Sequence, residues 1–525
     1  EYTITVPEIH GEQDVEVTTV EGATVTVPVT IIDAVLTAEN LKENIQSQGT
    51  ALSEGKYFIL TDDIDASGID WKASMLWQED NGFKGTIDGR GYAIKNLNIG
   101  EGVPGIFNCT QDAVVKNIGF TIVNFVPQAN QSVFGVVTRA TLFENISITF
   151  DCLFTATTGG ILSGNNAVSN NYKDIQIIAE DGKINTLSQS SSDSKFENVT
   201  VESMKMNYVH NEISSVDGVT FKEIKVVTLT NNQDILLTNK TYAISLGSES
   251  TGLTVNSITC NGVDLGTNLS NLDMSAIKSD MTKHGITNVI VKGEKDGNKV
   301  TIIAPVTLVT KMISTQDELR SVVTTITDTT LNAIFGYYKL ANDIDYSDGF
   351  ISHTMPYKWT NSSNGFRATL DGNEKTITGF AYAQGMFFVI GEGAVIKDVN
   401  FVSTTWVNAV PDRLFGSACY NATFENVNIV MKSTDGSKVP SAHLLFADAC
   451  QNNTFKNVTL KVYSDDGSTL AGLSTVFGKN FTGNICEGVK IYCKSVAELG
   501  KDSSSNSVKQ YDGIEIITPK NNKTV

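Results

Sequence analysis

Two stretches, FKGTIDGRGYAIKNLNI at 83–99 and FRATLDGNEKTITGFAY at 366–382, repeat one pattern of strand, turn and strand. Further matches flank them in the same order: LTDDIDASG at 60–68 with LANDIDYSDG at 340–349, AVVKNIGF at 113–120 with AVIKDVNF at 394–401, and FENISI at 143–148 with FENVNI at 424–429. Upstream, Pro28 in TVTVPVTIIDAVLTA aligns with Pro305 in KVTIIAPVTLVTKMIST. The sequence therefore predicts a tandem duplication with a period of about 280 residues.

A shorter repeat lies inside each copy. Its phrase is apolar-x-polar-apolar-x-apolar, usually with Asn or Asp in the polar position. The phrases begin at residues 94, 115, 143, 172, 196, 221, 377, 396, 424, 455 and 486. Alternation within the phrase predicts a strand with one face inward, and its regular recurrence predicts one coil of a parallel solenoid. Stacked coils would align the Asn and Asp side chains in a ladder, hydrogen-bonded from rung to rung.

Turns and end caps complete the predicted coils. The dipeptide DG at 88–89 and 371–372 would turn the chain between faces, because Gly tolerates positive φ. Helical patterns at 37–48 and 314–326 stand just before the first coil of each copy, and Thr315 and Glu318 form a capping box in the second. We expect these helices to cover the open N-terminal ends of the coil stacks.

The segment between the two coil regions changes pattern, because short alternating strands with a KDGN turn predict a small immunoglobulin-like sandwich. The predicted fold class is all-β, with two right-handed parallel β-helix (solenoid) domains separated by that sandwich. The predicted boundaries are a partial sandwich at 1–36, a β-helix with its capping helix at 37–234, the sandwich at 235–312, a second β-helix with its capping helix at 313–513, and the start of a further module at 514–525.

The order of ILTDDIDASGIDW (59–71), FKGTIDGRGYAIKNLNI, GIFN and AVVKNIGF resembles the pectate-lyase-like right-handed parallel β-helix superfamily. More narrowly, it is similar to bacterial surface and adhesin-like proteins with GLUG-type repeats. The second copy departs from that layout, with Ala368 and Glu374 where the first has Gly85 and Gly91. The resemblance implies a secreted or wall-attached bacterial protein, with adhesin-like and some enzyme-linked relatives, and it names no ligand.

Charge and hydropathy narrow the choice of partners. The 525-residue chain has a formal net charge of −19, which would repel nucleic acid and anionic membranes. No window approaches the roughly 18 apolar residues that a membrane-spanning helix needs. We expect a polysaccharide, a host glycan or a host surface protein as partner. Self-association is the alternative, with 514–525 of one copy completing the sandwich begun by 1–36 of the next.

Aromatic side chains offer a candidate ligand site. Trp71 and Trp77 lie between the acidic turn and the DG strand, and Tyr357 and Trp359 lie in the matching loop of the second copy. Aromatic rings stack against the C–H faces of sugars, so these four residues are the candidate glycan platform. The alternative is a packing role, since a Trp in this loop also belongs to the GLUG layout.

Acidic turns offer a candidate metal site. Asp63 and Asp65 in the first copy, and Asp343 and Asp345 in the second, alternate as the oxygen ligands of a calcium loop do. The downstream bidentate Glu of such a loop is missing. The favoured interpretation is therefore that no cofactor binds and that these carboxylates accept hydrogen bonds from backbone N–H groups of the turn.

Three functions remain open on the sequence. The first is an extracellular surface protein, a modular adhesin or stalk that displays a β-helix flank. The second is a self-assembling filament or surface-layer subunit. The third is a polysaccharide lyase or glycoside hydrolase with carboxylates assembled across coils. Arginines are sparse, the five His stand apart, and no local catalytic or metal-ligand motif is present, so no catalytic residue is assigned and the first function is favoured over an enzyme.

Overall fold

The chain forms a β-solenoid of about 14 turns in an all-β architecture. The computed structural model describes residues 10–18, 22–46, 53–72, 82–126, 131–156, 160–184, 186–188, 192–204, 216–323, 333–346, 365–379, 385–403, 414–432, 444–463 and 469–519. The chain divides into two compact units. The first comprises Glu1–Val227, Gly252–Thr254 and Gly293–Thr301, and the second comprises Thr228–Thr251, Val255–Lys292 and Ile302–Val525.

The first unit stacks its coils through parallel strands. Its main ladder runs through Ala34–Val35, Tyr57–Ile59, Thr86–Asp88, Val114–Phe125, Leu142–Phe150, Asn171–Ile184, Lys195–Met204 and Val219–Thr228. Shorter strands extend these coils at Ile64–Asp65, Ala93–Ile99 and Phe154–Ala156. A second parallel sheet contains Cys109–Gln111, Gly135–Arg139 and Ser163–Val168. An antiparallel hairpin, Gly11–Thr18 with Thr24–Ile31, precedes the coils in sequence.

The second unit repeats this arrangement. Its main ladder runs through Lys311–Ile313, Tyr337–Leu340, Thr369–Asp371, Val395–Ser403, Thr423–Met431, Thr459–Val462, Val489–Tyr492 and Ile514–Ile517. Shorter strands in the same coils are Ile344–Asp345, Thr376–Thr378, Thr454–Lys456 and Ile485–Glu487. The second sheet contains Phe388–Ile390, Gly416–Tyr420, Phe446–Gln451 and Phe481–Thr482. Two further pairs are Gly472–Thr475 with Ser495–Glu498, parallel, and Gly500–Lys501 with Ser507–Val508, antiparallel.

Helices are few and short in the described part of the chain. They are α1 (Leu41–Gln46), α2 (Ser275–Lys278) and α3 (Gln316–Val323), with 3₁₀ turns at Gly247–Ser250 and Met281–Lys283. The predicted helices at 37–48 and 314–326 are confirmed as α1 and α3. The buried apolar side chains of α3 belong to the same core cluster as the coils of the second unit, and those of α1 pack likewise in the first. None of the described helices is long and apolar enough to cross a bilayer.

Except at Glu223, the polar position of the repeated phrase is a left-handed backbone position. Its φ is 54° at Asn117, 53° at Asn145 and 54° at Asn426, and glycine takes the same place at Gly379 and Gly488 with φ of 67° and 65°. Asn, Asp and Gly are the residues that tolerate this conformation, which explains the composition of the phrase. The chain bends here between two inward-facing segments of one coil.

The predicted rung-to-rung ladder is confirmed. In the first unit, Asn145 Nδ2 donates to Asn117 Oδ1 at 2.9 Å, and Asn117 Nδ2 donates to Asp88 Oδ1 at 3.0 Å. In the second unit, Asn457 donates to Asn426 at 3.1 Å and Asn426 to Asp398 at 2.8 Å. Each amide thus joins two successive coils, and the same side chain that permits the bend also fixes the stack.

Aromatic rings stack along the same axis inside the coils. Phe143 lies between Phe134 and Tyr172, with ring centroids 4.1 Å and 5.2 Å away, and Tyr172 stacks in turn on Phe196 at 5.0 Å. Phe424 and Phe455 repeat the contact at 5.0 Å in the second unit. Like side chains therefore lie on like, as expected for a solenoid core.

The reason given above for the DG dipeptides is wrong. Neither Gly89 nor Gly372 has a positive φ; the left-handed residues follow at Arg90 (52°) and Gly91 (87°) in the first copy. Gly89 is required because a Cβ there would lie 2.5 Å from Asn117 O and from Ile118 Cβ of the next coil. Close approach of two coils, not backbone conformation, selects glycine at this position.

Two parts of the predicted module order meet the structure differently. Ile514–Ile517, assigned to a further module at 514–525, instead pairs in parallel with Val489–Tyr492 and continues the coil stack. The segment 235–312 is β-rich, with strands at Gln233–Leu236, Leu253–Cys260, Val263–Asp264, Gly285–Lys295 and Asn298–Val309. These strands do not establish the two facing sheets of an immunoglobulin-like sandwich, so the sandwich stays a prediction.

Candidate functional site

The predicted aromatic platform is only partly within the described residues. Trp71 is described, and it is a core residue with 2% of its surface exposed. Its Nε1 has no hydrogen-bond partner among the described residues, and Trp71 lines an open cleft of about 470 Å³ with Asp70 and Glu101. Trp77, Tyr357 and Trp359 lie outside the described residues. The glycan platform therefore stays a prediction.

The carboxylates of the acidic turn in the first copy accept hydrogen bonds from backbone and side-chain donors. Asp63 accepts a hydrogen bond from the Ala93 N–H at 2.8 Å and pairs with Lys95 at 2.5 Å. Asp65 accepts from Asn96 Nδ2 at 2.9 Å. The hydrogen bond from Lys95 lowers the pKa of Asp63, and the hydrogen bond from Asn96 lowers that of Asp65. These contacts agree with the turn-forming interpretation of both carboxylates.

The second copy has the same turn chemistry. Asp343 Oδ1 accepts a hydrogen bond from the Thr376 N–H at 2.7 Å, as Asp63 does from Ala93. Asp345 lies exposed in the strand Ile344–Asp345. Within the described ranges, no group of three His, Cys, Asp or Glu side chains is placed to hold a metal ion.

A cluster that the sequence analysis missed joins Tyr57, Asp88 and Lys116 on neighbouring coils. The Tyr57 hydroxyl donates to Asp88 Oδ2 at 3.1 Å, and Lys116 Nζ lies 3.9 Å from that oxygen. Burial raises the pKa of the Asp88 carboxyl, but the hydrogen bonds from Asn117, the Arg90 N–H and Tyr57, together with the charge of Lys116, outweigh it and hold the pKa below its usual value.

The second unit contains the same cluster as Tyr337, Asp371 and Lys397. The Tyr337 hydroxyl donates to Asp371 Oδ2, and Lys397 Nζ lies 3.2 Å from that oxygen. Burial, reinforced by Asp371, raises the pKa of Tyr337. Burial lowers the pKa of Lys397, but Asp398 and Asp371 outweigh it and the pKa rises. Near neutral pH the lysine is an ammonium and the tyrosine a phenol, so neither is prepared to accept a proton.

Each cluster begins a column of alternating charge. Strand register places opposite charges on successive coils, in the order Asp88, Lys116, Glu144, Lys173, Glu197 in the first unit and Asp371, Lys397, Glu425, Lys456, Glu487 in the second. Close pairs along the columns are Glu144 with Lys173 at 2.6 Å and Glu425 with Lys456 at 2.9 Å. The duplication has kept this column residue class by residue class, which points to a role in stacking.

The outward side chains beyond the bend form a basic flank in the second unit. We define the basic flank as three rows on successive coils: Asn428, Val430 and Lys432; Thr459, Lys461 and Tyr463; Lys490, Tyr492 and Lys494. Lys432 lies over the Tyr463 ring at 5.7 Å, and Lys461 over the Tyr492 ring at 5.1 Å. None of its four lysines forms an ion pair with a described residue, whereas the lysines of the charge columns do.

The equivalent rows of the first unit form an acidic flank: Ser147, Thr149 and Asp151; Gln176, Ile178 and Glu180; Thr200, Glu202 and Met204. Glu180 and Glu202 both bind Lys299, at 3.2 Å and 3.1 Å, and Lys222 lies 3.4 Å from Glu202. Glu202 is 8% exposed. The same positions of the two copies therefore carry opposite charge, and Glu180 and Glu202 of the acidic flank are paired with lysines of their own chain.

A sequence signal for the basic flank exists. Lys461 and Tyr463 in LKVY and Lys490, Tyr492 and Lys494 in VKIYCK alternate with buried residues, and the pattern Lys432, Tyr463, Lys494 recurs every 31 residues. Only the register of the coils shows that these residues share one face.

No protein-family model, no curated protein and no solved structure matches this chain in comparisons of sequence and fold.

Proposed function

We propose that the chain is an extracellular bacterial surface protein, an adhesin or stalk of the GLUG-repeat kind. In this proposal two right-handed parallel β-helix domains flank a small immunoglobulin-like sandwich. The coil stacks are rigid scaffolds, and their outward flanks meet a glycan or a host surface molecule.

The proposal rests on the contrast between the features of the coils that the two units share and the outward flanks, which differ between the units. Between the two units, the left-handed Asn positions, the stacked aromatic residues and the alternating charge columns are retained. The outward flank of the first unit contains three carboxylates and no lysine among its nine residues, and that of the second unit contains four lysines and no carboxylate. A scaffold kept constant under a surface that varies is what a display function needs, because specificity then changes without cost to the core.

The scaffold has the stiffness that display requires. Neighbouring coils of each main ladder hydrogen-bond through their backbones, several of them also through Asn side chains, and eight strands at a spacing of about 4.8 Å give each ladder a length of roughly 35 Å. The surplus of acidic groups favours solubility at high local density and deters nucleic acid.

Surface display is tested by labelling intact and permeabilised source cells with an antibody against the chain. Equal labelling of both supports an exposed protein, and labelling only after permeabilisation refutes the proposal. Ligand binding is tested separately on a glycan array. Trp77→Ala and Trp359→Ala are expected to lose binding if the aromatic loops form the site, and unchanged binding would reject those loops.

A further inference from the structure

The two flanks differ in what covers them. On the acidic flank, the hairpin tip Gly293–Thr301 of the same unit lies against Glu180 and Glu202, while Ser147, Thr149, Asp151 and Gln176 are exposed. Lys299 of this tip contacts Glu180 and Glu202, and these contacts raise its pKa although burial lowers it. Glu202 is thereby removed from solvent. At this position of the coil stack, therefore, the chain itself shows a β-hairpin bound through opposite charge.

The hairpin that corresponds to this tip by the internal duplication is Gly11–Thr18 with Thr24–Ile31, since Pro28 aligns with Pro305. Its two strands contain three carboxylates and no lysine, whereas the tip Gly293–Thr301 contains two lysines and two carboxylates. Glu12, Asp14 and Glu16 alternate along its first strand and share one exposed face. Glu12 binds Lys116 at 2.8 Å, whereas Asp14 and Glu16 form no ion pair with a described residue.

For each flank, therefore, the chain contains one hairpin with side chains of the complementary charge. The acidic flank has a hairpin with a lysine, and the basic flank has no described residue that neutralises its four lysines. We propose that the basic flank binds the acidic hairpin strands Gly11–Thr18 and Thr24–Ile31 of a second copy of this chain, in the way that Glu180 and Glu202 of the acidic flank bind Gly293–Thr301. Lys490 and Lys494 of the flank are four residues apart in sequence, as Glu12 and Glu16 of the hairpin are, so the two pairs have a common spacing of about 13 Å in an extended chain.

The contact is heterologous, because it joins two different surfaces of the same chain. Such contacts leave one free hairpin and one free flank at the ends of every complex, so they build open chains of copies rather than closed dimers. Ile514–Ile517 is already paired with its own coil, so this contact uses other residues than the strand addition through 514–525 considered above. It is also independent of where the protein is located.

The test is a reciprocal charge reversal on the full chain. Size-exclusion chromatography with light scattering, run over a concentration series at low and high salt, measures association. The variants are Lys461→Glu/Lys490→Glu on the flank and Asp14→Lys/Glu16→Lys on the hairpin. Wild type is expected to form salt-sensitive oligomers, and each variant alone is expected to associate at least about tenfold more weakly, because like charges then meet.

Mixing the two variants supplies the decisive result. The reversed hairpin of one fits the reversed flank of the other, so the mixture is expected to regain oligomers that neither variant forms alone. Lys225→Glu/Lys240→Glu, two exposed lysines outside the flank, makes the same change in net charge and should leave association unchanged. Circular dichroism confirms that all variants fold.

Three outcomes would overturn the proposal. One is a wild-type chain that stays monomeric at every concentration. Another is a mixture that stays as dissociated as its components. The third is a monomeric protein that is retained on a polyuronate or sulfated-glycan column and loses retention with Lys461→Glu/Lys490→Glu, which would assign the basic flank to an anionic glycan instead.

Discussion

Asn426 provides a sharp test of the idea that one side chain both permits the bend and fixes the stack. Its backbone is left-handed with φ of 54°, its Nδ2 donates to Asp398, and its Oδ1 accepts from Asn457. Replacing it with Ala removes both side-chain hydrogen bonds and leaves an ordinary L-residue at positive φ. Replacing it with Gly removes the same hydrogen bonds but leaves the left-handed conformation unstrained, as at Gly488 two coils further along.

The magnitudes follow from these contacts. A left-handed residue other than Gly or Asn costs about 1–2 kcal/mol, and each of the two largely exposed hydrogen bonds contributes about 0.5–1 kcal/mol. Asn426→Ala should therefore lower the free energy of unfolding by roughly 2–4 kcal/mol. Asn426→Gly should lower it by roughly 1.5–3 kcal/mol, about 1–2 kcal/mol from the hydrogen bonds and about 0.5–1 kcal/mol from backbone entropy, so the Gly variant should be the more stable of the two.

The assay must report the second unit alone, because a chain of two units need not unfold in one step. Hydrogen exchange of peptides from 414–432 and 444–463, analysed by mass spectrometry, measures local opening of these coils. Asn428→Ala is the matched control: Asn428 lies two residues away, without positive φ, and makes one hydrogen bond to Asn400 at 3.3 Å. Equal effects of Asn426→Ala and Asn426→Gly, or of Asn426→Ala and Asn428→Ala, would refute the reasoning.

Three further predictions test the packing and the electrostatics, and each is measured by urea denaturation or hydrogen exchange of the unit concerned. Gly89→Ala should destabilise the first unit by several kcal/mol, because its Cβ meets the next coil at 2.5 Å, whereas Gly68→Ala, with open space around it, should be nearly neutral; similar effects would reject coil proximity as the reason for Gly89. Phe424→Ala should cost about 3–5 kcal/mol, since it empties a fully buried site in the aromatic stack, and a loss below 1 kcal/mol would show that the stack is not tightly packed. Asp88 has a lowered pKa in the folded protein, so its stabilising effect is present above its ordinary value of 3.8 and is lost as the pH falls through the folded value; Asp88→Asn should flatten the loss of stability below about pH 4, and an unchanged acid profile would contradict the shift.

The sequence was sufficient to predict the coils, but it was insufficient to predict the close contacts between them. Alternation and recurrence predicted the strands, and the Asn-rich position predicted the ladder, because a side chain repeated once per coil must meet its counterpart above. The same position also has positive φ. The sequence indicates this only where Gly replaces Asn or Asp, at Gly379 and Gly488. The role of Gly89 was missed because the distance between coils is not visible along the chain.

The flanks could not be found in the sequence for a related reason. Lys432, Lys461 and Lys494 are far apart in the chain, and they share a face only when the register of three coils is known. The opposite sign of the first unit required the same register. Local patterns therefore predict which residues point outward, whereas the function-bearing combination of outward residues depends on how successive coils align.

The charge columns specify that alignment only in part. Alternation of Lys with Asp or Glu means that a coil stacked on the next but one would place like charges together, which is unfavourable in a partly buried column. The two units, however, alternate in the same order, so the columns cannot distinguish the coil of Lys173 from that of Lys456.

Buried polar contacts can make that distinction, because they differ between the units. In the first unit the Tyr172 hydroxyl lies 2.6 Å from Ser163 Oγ inside the core. At the equivalent places the second unit has Phe455 and Phe446, so this hydroxyl pair is absent there, whereas the buried amides of Asn170 and Asn453 accept the same backbone hydrogen bond in the two units. Placing the coil of Tyr172 in the second unit would leave its buried hydroxyl without the Ser163 partner, at about 1–3 kcal/mol. The two copies thus share the alternating charges of their columns and differ in polar contacts of their cores.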